Sequence, residues 1–451
     1  MLEHRSGLEG FLAPRILSQK PYSWGARLLA IFALIALAGC TTKSKIKGER
    51  ELLLLPSVSL VEDKTLLNKP IALPSCRVND ECRQMNETPS HEVSHSCFDV
   101  EAAKYRWCIN VGRTTGDGER LCSNLVACGN CIFGGTTEGK VFALDVTRRK
   151  LLWRTDVATK VDDVARIGGL ALSLNGDLIV TTSAGDVILL DVQSGKQKKK
   201  IHISSPIRSA PTVSPEAIFI QGSNNSLFAL DHNLNVLWDI YEPPESVLFL
   251  GNASPSYKDG VVFAACSTGD YRAYYANTGR EIWSDYMTSQ FLDDTVGNLL
   301  HVYASQVVSG DYVFTLGHGG RLVANLNTSG SRVWSAKFSG LNTPAVIGEW
   351  LFTTDENGCV YCIQKSTGKV RWTAALPLSI ENKRARTWTN PIILSGTVVF
   401  VTEYGDLAFF DAADGHIVKM LRTRAKEPSS AIVVNKVLYV LSGLGYVYAF
   451  G

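Results

Sequence analysis

The sequence predicts an all-β protein: one eight-bladed β-propeller of four-stranded antiparallel blades, closed by an N-terminal strand. Two observations support this fold class. A short sequence unit recurs eight times at intervals of 38 to 51 residues, and each interval contains four strand-like runs separated by turn residues. Four short strands in about forty residues is the size of a propeller blade. Because one blade cannot bury its faces alone, neighbouring blades stack until the ring closes.

The repeated unit begins with a glycine, or once Asn225, and continues as a short apolar strand, a turn and a second strand. Its eight copies occupy residues 139–145, 185–191, 225–231, 269–275, 320–326, 358–364, 405–411 and 445–451. In five copies the second strand contains a tryptophan, namely Trp153, Trp238, Trp283, Trp334 and Trp372. We expect these rings to pack flat against the neighbouring blade and seal the gap.

Strand positions follow from the runs of apolar residues between turns. In the third interval we predict strands at residues 210–213, 217–221, 226–230 and 235–240. The eighth copy stops at Gly451, before its turn and tryptophan strand, and residues 105–112 match that missing piece. A ring closed by both ends of the repeat region leaves two fewer exposed strand edges.

The N-terminal region resembles a lipoprotein signal. Arg27 precedes eleven apolar residues, 28–38, too few for a membrane span of about 20 residues but typical of a signal peptide. The run ends in Leu-Ala-Gly-Cys40, which resembles the bacterial lipobox and implies cleavage before Cys40 and acylation of that cysteine. Several acyl chains together give a lasting anchor. The alternative is a plain secretory signal that ends by chance at a cysteine.

We therefore divide the chain into a signal peptide at residues 1–39, a lipid tether and cysteine-rich appendage at residues 40–104, and the propeller at residues 105–451. Residues 41–50 are polar with four Lys or Arg, which suits a flexible tether. Residue 41 is Thr where an Asp would retain a lipoprotein in the inner membrane, so we expect anchorage to the outer membrane with the propeller facing the periplasm.

Ten cysteines remain besides Cys40, and seven of them lie in a cluster: Cys76, Cys82, Cys97, Cys108, Cys122, Cys128 and Cys131. In an exported chain such a cluster indicates disulfides, although the sequence does not determine their pairing. The Cys-Gly-Asn-Cys stretch at 128–131 has the spacing of a redox or zinc half-site, yet Gly-Asn between two strand-like runs favours a hairpin turn. A zinc site built from Cys128, Cys131, His91, His95 and Cys97 is the less favoured alternative.

Composition and motifs argue against several function classes. A net charge of +2 gives no general attraction to nucleic acid. We expect the lysines at 196 and 198–200 to form a solvated strand edge. Nucleophile-elbow, HExxH and P-loop motifs do not occur in the sequence, and we predict neither an enzyme nor a cofactor or metal site.

Three stretches, 141–145, 277–283 and 367–372, resemble the quinoprotein-type propeller repeat Ala-x-Asp-x-x-Thr-Gly-x-x-x-Trp. Two families carry that repeat: the pyrroloquinoline-quinone dehydrogenases and BamB, the lipoproteins of the β-barrel assembly machinery. The lipobox, the single propeller and the closing N-terminal strand resemble the BamB family. The adjacent cysteines expected of a quinone alcohol dehydrogenase do not occur in this sequence.

The BamB resemblance implies that loops between blades 3 and 4 and between blades 4 and 5 contact the barrel-inserting subunit BamA. The matching positions are Val247, Phe249, Leu250, Gly251, His301 and Tyr303. Leu250 replaces an arginine of the family pattern, and His301 and Tyr303 fall where the family has a pair of aspartates. The alternative is that residues 247–250 form an ordinary inner strand.

The function implied by this resemblance is that of a non-enzymatic scaffold that binds a BamA-like subunit and aids the insertion of outer-membrane proteins. Exposed strand edges would hold nascent outer-membrane proteins by β-augmentation. Two alternatives remain, because propellers host many functions: a quinone-dependent periplasmic dehydrogenase on the same fold, and a lipoprotein receptor for another partner.

Overall fold

A computed structural model of the chain contains eight four-stranded antiparallel sheets that form the blades of a β-propeller. This confirms the predicted fold class. The structure describes residues 57–58, 60–66, 69–112, 123–157, 166–241, 253–266, 269–287, 302–318, 320–377 and 387–451. Within these ranges the one helical element is a 3-10 turn at Lys64–Leu66.

Three strands precede the first blade: β1 (Ser57–Val58), β2 (Glu81–Cys82) and β3 (Tyr105–Asn110). Each blade then runs from its innermost to its outermost strand. Blade 1 comprises β4 (Val126–Cys128), β5 (Cys131–Gly135), β6 (Lys140–Asp145) and β7 (Lys150–Asp156). Blade 2 comprises β8 (Ile167–Leu172), β9 (Leu178–Thr182), β10 (Asp186–Leu190) and β11 (Gln197–His202). Blade 3 comprises β12 (Thr212–Val213), β13 (Ile218–Gln221), β14 (Leu227–Leu230) and β15 (Val236–Ile240). Blade 4 comprises β16 (Ser256–Lys258), β17 (Val261–Ala265), β18 (Asp270–Tyr275) and β19 (Glu281–Tyr286).

The second half of the ring repeats this order. Blade 5 comprises β20 (Val307–Ser309), β21 (Tyr312–Leu316), β22 (Arg321–Leu326) and β23 (Arg332–Lys337). Blade 6 comprises β24 (Ala345–Ile347), β25 (Trp350–Thr354), β26 (Cys359–Gln364) and β27 (Val370–Ala375). Blade 7 comprises β28 (Ile392–Leu394), β29 (Thr397–Val401), β30 (Leu407–Asp411) and β31 (Ile417–Leu421). Blade 8 comprises β32 (Pro428–Val434), β33 (Val437–Ser442), β34 (Tyr446–Phe450) and, outermost, β3.

The strands predicted for the third interval are confirmed to within two residues by β12 to β15. The burial of these strands explains why the pattern of apolar residues predicted their positions. The middle strands β13 and β14 are buried at every position, because blades pack on both of their faces. The outermost strand β15 is partly exposed along its length. Continuous apolar runs therefore mark the middle strands, and mixed runs mark the outer ones.

Five tryptophans on outer strands each link their blade to the following one, as the repeat predicts. Each indole N–H donates to a backbone carbonyl of the following blade, from Trp153 to Val192, Trp238 to Ala276, Trp283 to Asn327, Trp334 to Lys365 and Trp372 to Ala412. Each ring also lies over a turn glycine of that blade. The interfaces from blade 2 to 3 and from blade 7 to 8 lack this contact, because β11 and β31 contain no tryptophan.

A second set of contacts joins the blades around the axis. Side chains on or just before the innermost strands, and Thr181 on the second strand of blade 2, hydrogen-bond to the backbone of a neighbouring blade. The pairs are Ser430–Leu125, Asn124–Leu170, Thr181–Ser209, Thr212–Pro255, Ser305–Ser254, Thr343–Ser305 and Asn390–Thr343. These bonds connect blade 8 to blade 1 and then run in order to blade 7. They satisfy backbone groups that would otherwise be buried without partners.

The ring is closed by β3, which pairs antiparallel with β34 at the end of the chain. Trp107 packs against Tyr439, with ring centroids 5.8 Å apart. Arg106 donates from Nε to the carbonyl oxygen of Gly451 at 2.9 Å. The predicted closure of the eighth blade by the 105–112 segment is therefore confirmed.

Residues 76–97, which we call the cysteine loop, lie at one end of the central channel. We define the side of the ring that carries the turn between the first and second strand of each blade as the turn side; the chain passes from blade to blade on the opposite, connection side. The loop contacts the turn-side ends of the innermost strands, and a disulfide joins Cys76 to Cys97. A cavity of about 200 Å³ lies between the loop and the innermost strands of blades 1, 6, 7 and 8.

Gly368 tests the contact between tryptophan and glycine. It adopts a φ of +71°, and a Cβ placed there would lie 2.7 Å from the Trp334 ring. Gly176, with a φ of +84°, has no atom within 4 Å of such a Cβ. We expect Gly176→Ala to lower the free energy of unfolding by about 1 kcal/mol through backbone strain alone. Gly368→Ala should lower it by about 3 kcal/mol, because the methyl group also displaces the indole.

Chemical denaturation of both variants measures the difference. Equal losses of stability in Gly176→Ala and Gly368→Ala would show that the tryptophan contact does not hold the blade interface together.

Candidate protein-binding surface

The two segments predicted to contact a partner both lie between an outermost strand and the next innermost strand, on either side of blade 4. Val247, Phe249, Leu250 and Gly251 lie outside the described residues, as does His301. The innermost strand that the structure describes in blade 4 begins later, at Ser256. Both segments start and finish at the connection side of the ring, since they join strand ends that lie there.

Tyr303 is the one predicted contact residue within the described residues. It is half-buried and stands between Val302 and Ala304, which are both fully buried just before β20. Because its neighbours fix the backbone, Tyr303 has a defined position at the inner edge of the blade 4 to blade 5 connection. The structure does not place the other predicted residues beside it, because they are not described.

Two exposed tyrosines, which the sequence analysis did not single out, lie where these connections begin. Tyr241 follows β15 and is 56% exposed, and Tyr286 ends β19 and is 58% exposed. The ring of Tyr241 packs edge-on against Phe228, with centroids 5.8 Å apart. Exposed tyrosines with a supported ring are frequent anchors in protein interfaces. We call the surface that carries Tyr241, Tyr286 and Tyr303 the blade 3–5 surface.

A partly buried polar network holds the blade 4 to blade 5 boundary of this surface. Asp285 on β19 accepts hydrogen bonds from Arg332 at 2.7 Å and from Tyr271 at 2.6 Å. Asn325 on blade 5 donates to the same carboxylate at 2.8 Å. Arg332 also donates to the backbone carbonyl of Tyr286. The network therefore fixes the end of β19, where the connection begins.

The charges in this network are stabilised mutually. Partial burial alone would raise the pKa of the Asp285 carboxyl, but hydrogen bonds from Tyr271, Arg332 and Asn325 outweigh that effect and hold the pKa below its usual range. Burial raises the pKa of the Tyr271 hydroxyl, and the nearby carboxylate raises it further. Asp285 is thus ionised and Tyr271 neutral at neutral pH, which suits the hydroxyl to donate to the carboxylate.

The outer edges of the blades differ in chemistry. On blade 2, β11 carries the predicted lysine edge, where Lys198 pairs with Asp177 and Lys200 with Asp186. On blade 3, β15 instead presents Val236 and Leu237, each 52% exposed. Lysine-rich edges resist the addition of further strands, whereas apolar edges favour it.

The outer edges of blades 5 and 6 are covered by the chain's own N-terminal segment. Strand β1 pairs parallel with β23 of blade 5. Further along, Asp63 donates its backbone N–H to the Val370 carbonyl of blade 6, and its carboxylate pairs with Lys369 at 2.7 Å. An extended segment can therefore add to an outer edge of this propeller. Among the described residues, no strand pairs with the outer edge of β15.

Possible metal ligands within the described residues come together once, at the last turn of blade 7, in Asp411, Asp414 and His416. Their oxygens accept hydrogen bonds from the backbone N–H groups of that same turn. The arrangement is therefore that of a tight turn. In the alternative zinc set, Cys97 is in the disulfide, and His91 is buried with its Nδ1 3.0 Å from the Gln306 carbonyl oxygen. Burial lowers the pKa of His91 to about 4.

Comparison with known proteins identifies the family. Residues 137–374 match the family model described as outer membrane protein assembly factor BamB. The chain belongs to the BamB family. Its relatives include the outer membrane protein assembly factor BamB of Shewanella oneidensis, which is 23% identical over 343 residues, or 74% of this chain and 85% of that protein.

Solved structures show the same fold. The crystal structure of BamB from Moraxella catarrhalis matches with a TM-score of 0.66 at 16% identity, over 77% of this chain and 99% of that one. A europium-containing methanol dehydrogenase matches with a TM-score of 0.65 at 13% identity, over 82% of this chain and 98% of that one. At these identities the likeness is one of fold, and function has to be argued from sites.

The part of the chain that the structure describes contains no helix that is long and apolar enough to cross a membrane.

Replacing Asp285 tests the boundary network. We expect Asp285→Asn to lower the free energy of unfolding by about 2 kcal/mol, because it leaves the partly buried Arg332 without a counter-charge. Since the folded-state pKa of Asp285 is depressed, the charge stabilises the fold above the unfolded-state pKa. The difference between wild type and variant should shrink as the pH falls through the folded-state pKa.

Glu281→Gln on the same strand is the matched control. Glu281 pairs with Arg272 at 3.0 Å in a more exposed setting, where a lost ion pair costs less than about 1 kcal/mol. Urea denaturation at several pH values compares the two. Equal and pH-independent losses would contradict a special role for Asp285.

Proposed function

We propose that this protein is a non-enzymatic scaffold of the outer-membrane assembly machinery that binds a BamA-like barrel-inserting subunit through the blade 3–5 surface. The observation that carries the proposal is the BamB family match over residues 137–374. Relatives such as the Shewanella oneidensis protein are named as outer membrane protein assembly factors. The quinone-dehydrogenase alternative has only the shared propeller in its favour, and a receptor for another partner has no observation of its own.

The geometry of the blade 3–5 surface supports a docking role. Its two connections flank a single blade and share the connection side, so one partner domain can contact both. Tyr241 and Tyr286 supply exposed aromatic area at their starts. The Asp285–Arg332 pair fixes the second of these positions, which reduces the ordering cost of binding.

We further propose that the outer edge of β15 holds extended segments of nascent outer-membrane proteins by β-augmentation. The pairing of β1 with blade 5 is an intramolecular precedent for strand addition. Strand β1 pairs with β23, which occupies in blade 5 the place that β15 occupies in blade 3. The apolar side chains of Val236 and Leu237 suit the alternating apolar strands of a membrane barrel.

The proposed scaffold is held at the periplasmic face of the outer membrane through acylated Cys40. The sequence places sixteen residues, 41–56, between this cysteine and β1. The tether would therefore reach the propeller at the outer edge of blade 5.

A pull-down from outer membranes tests the docking role. The chain, tagged at its C-terminus and expressed in its native host, should recover the barrel-inserting subunit in mild detergent. Phe249→Asp should reduce recovery at least tenfold, because a charge replaces an apolar contact. Leu152→Asp, on the outer strand of blade 1 and 41% exposed in the wild type, controls for the added charge and should leave recovery unchanged. Recovery of other partners without the barrel-inserting subunit would refute the assembly role.

Photocrosslinking tests whether nascent outer-membrane proteins bind at the outer edge of β15. A crosslinking amino acid at Leu237 should capture unfolded outer-membrane proteins during their export. The control is Val333, which occupies the equivalent place one residue before the tryptophan of blade 5, on the edge that β1 already covers. Equal capture at both positions, or none at Leu237, would rule out strand addition at blade 3.

A further inference from the structure

We infer that the cysteine loop is a disulfide-dependent clamp that binds blades around the whole ring and holds the propeller closed. The inference rests on the fold and on the Cys76–Cys97 bond, and it is independent of the assembly role. It predicts that the integrity of the ring depends on thiol oxidation.

The loop contacts the blades in their order around the ring. The Asn79 carbonyl accepts from the Asn435 N–H of blade 8, and Glu81 and Cys82 pair with blade 1 as β2. The Arg83 carbonyl then accepts from Leu172 of blade 2, and the Gln84 side chain bonds the backbone of Val213 in blade 3.

The second half of the loop continues the circuit. The Pro89 carbonyl accepts from the Tyr257 N–H of blade 4, and the Ser90 carbonyl accepts from the Val308 N–H of blade 5. Val93 packs in the apolar cluster shared by blades 6 and 7. Ser96 then exchanges backbone hydrogen bonds with Ile393 and Ser395 of blade 7. Successive parts of one 22-residue loop therefore hydrogen-bond to seven blades, and Val93 packs in the cluster that blade 6 shares with blade 7.

The disulfide lies beside the interface between blades 7 and 8, which has fewer contacts of the kinds that join the other blades. The two ends of the loop meet beside blades 7 and 8, where Arg77 hydrogen-bonds with His95 and Cys97. The interface between blades 7 and 8 has no tryptophan link, because β31 lacks the residue. Blade 8 itself is assembled from both ends of the repeat region. After the disulfide, Phe98 stacks on Phe409 and Val100 joins the apolar cluster between blades 7 and 8.

The disulfide closes the loop covalently, and this changes how the hydrogen bonds between loop and blades can break. An open loop can peel away from one end, releasing one blade at a time. A closed loop cannot leave any blade without straining its contacts with the others, and closure also restricts the unfolded chain. Forming the bond removes two protons and two electrons from the two thiols. These pass to a disulfide oxidant, which is reduced to two thiols.

The test compares the folded wild type with and without a phosphine reductant, using thermal unfolding and hydrogen exchange. Reduction should lower Tm by about 5 °C, as expected for a loop of this length in a chain of this size. Exchange should accelerate at least tenfold at amides that donate to loop carbonyls in separate blades, namely Leu172, Tyr257, Val308 and Asn435. Amides within β9, which has no bond to the loop, should not change.

Two double variants complete the experiment. Cys76→Ser with Cys97→Ser should show the lower Tm and lose its response to reductant. Cys128→Ser with Cys131→Ser, two opposed cysteines of the first hairpin of blade 1, should keep the wild-type Tm and the response. If the first double variant does not fold, reduction of the folded wild type still gives the answer. An unchanged Tm after reduction, or faster exchange confined to residues beside the disulfide, would overturn the inference.

Discussion

The structure depends on closure of the ring. Each blade buries both of its faces against neighbours, so an open array would leave two large apolar faces in water. Three sets of contacts between the blades keep the ring closed. Tryptophans join the blades near the outside, side chains of the innermost strands join them around the axis, and the cysteine loop contacts them at the turn side. Pairing of β3 with β34 completes the circle.

Much of the fold was predictable because blade chemistry repeats. A strand such as β13, buried on both faces, has to be apolar throughout, and a tryptophan over a turn glycine leaves a fixed spacing. Buried middle strands recur in every blade and the tryptophan contact recurs at five interfaces, so both appear as a period in the sequence. The closing strand was predictable for the same reason, since residues 105–112 supply the one strand that the eighth copy lacks.

The path of the cysteine loop was not predictable in this way. Its contacts with the blades are mostly backbone carbonyl to backbone N–H, which place few demands on side-chain type. Pairing of β1 with blade 5 involves two residues and likewise leaves no pattern. In the candidate surface, Val247, Phe249 and His301 came from family resemblance rather than from periodicity. Tyr241 and Tyr286 carry no sequence signal that separates them from buried tyrosines, because burial depends on the neighbouring blade.

The same propeller fold occurs in BamB from Moraxella catarrhalis and in a methanol dehydrogenase, so the fold alone does not set the function of this chain. The cysteine loop lies at the turn side of the innermost strands, and a cavity of about 200 Å³ remains between it and blades 1, 6, 7 and 8. Because the loop occupies the turn side, the blade 3–5 surface lies on the side of the ring opposite to it. The disulfide-closed loop and the proposed docking surface therefore do not compete for the same side of the ring.

The N-terminal segment, residues 57–63, also makes the blades of the ring distinguishable from one another. Eight similar blades form a nearly symmetric disc on which a partner could dock at eight equivalent angles. The described part of this segment pairs with the outer strands of blades 5 and 6 and with no other blade edge, so the eight docking angles are no longer equivalent. The blade 3 edge then lies at a fixed angular distance from the point where the chain leaves the disc. A strand bound at the blade 3 edge is consequently held at a constant angle around the ring from β1, which eight identical edges could not provide.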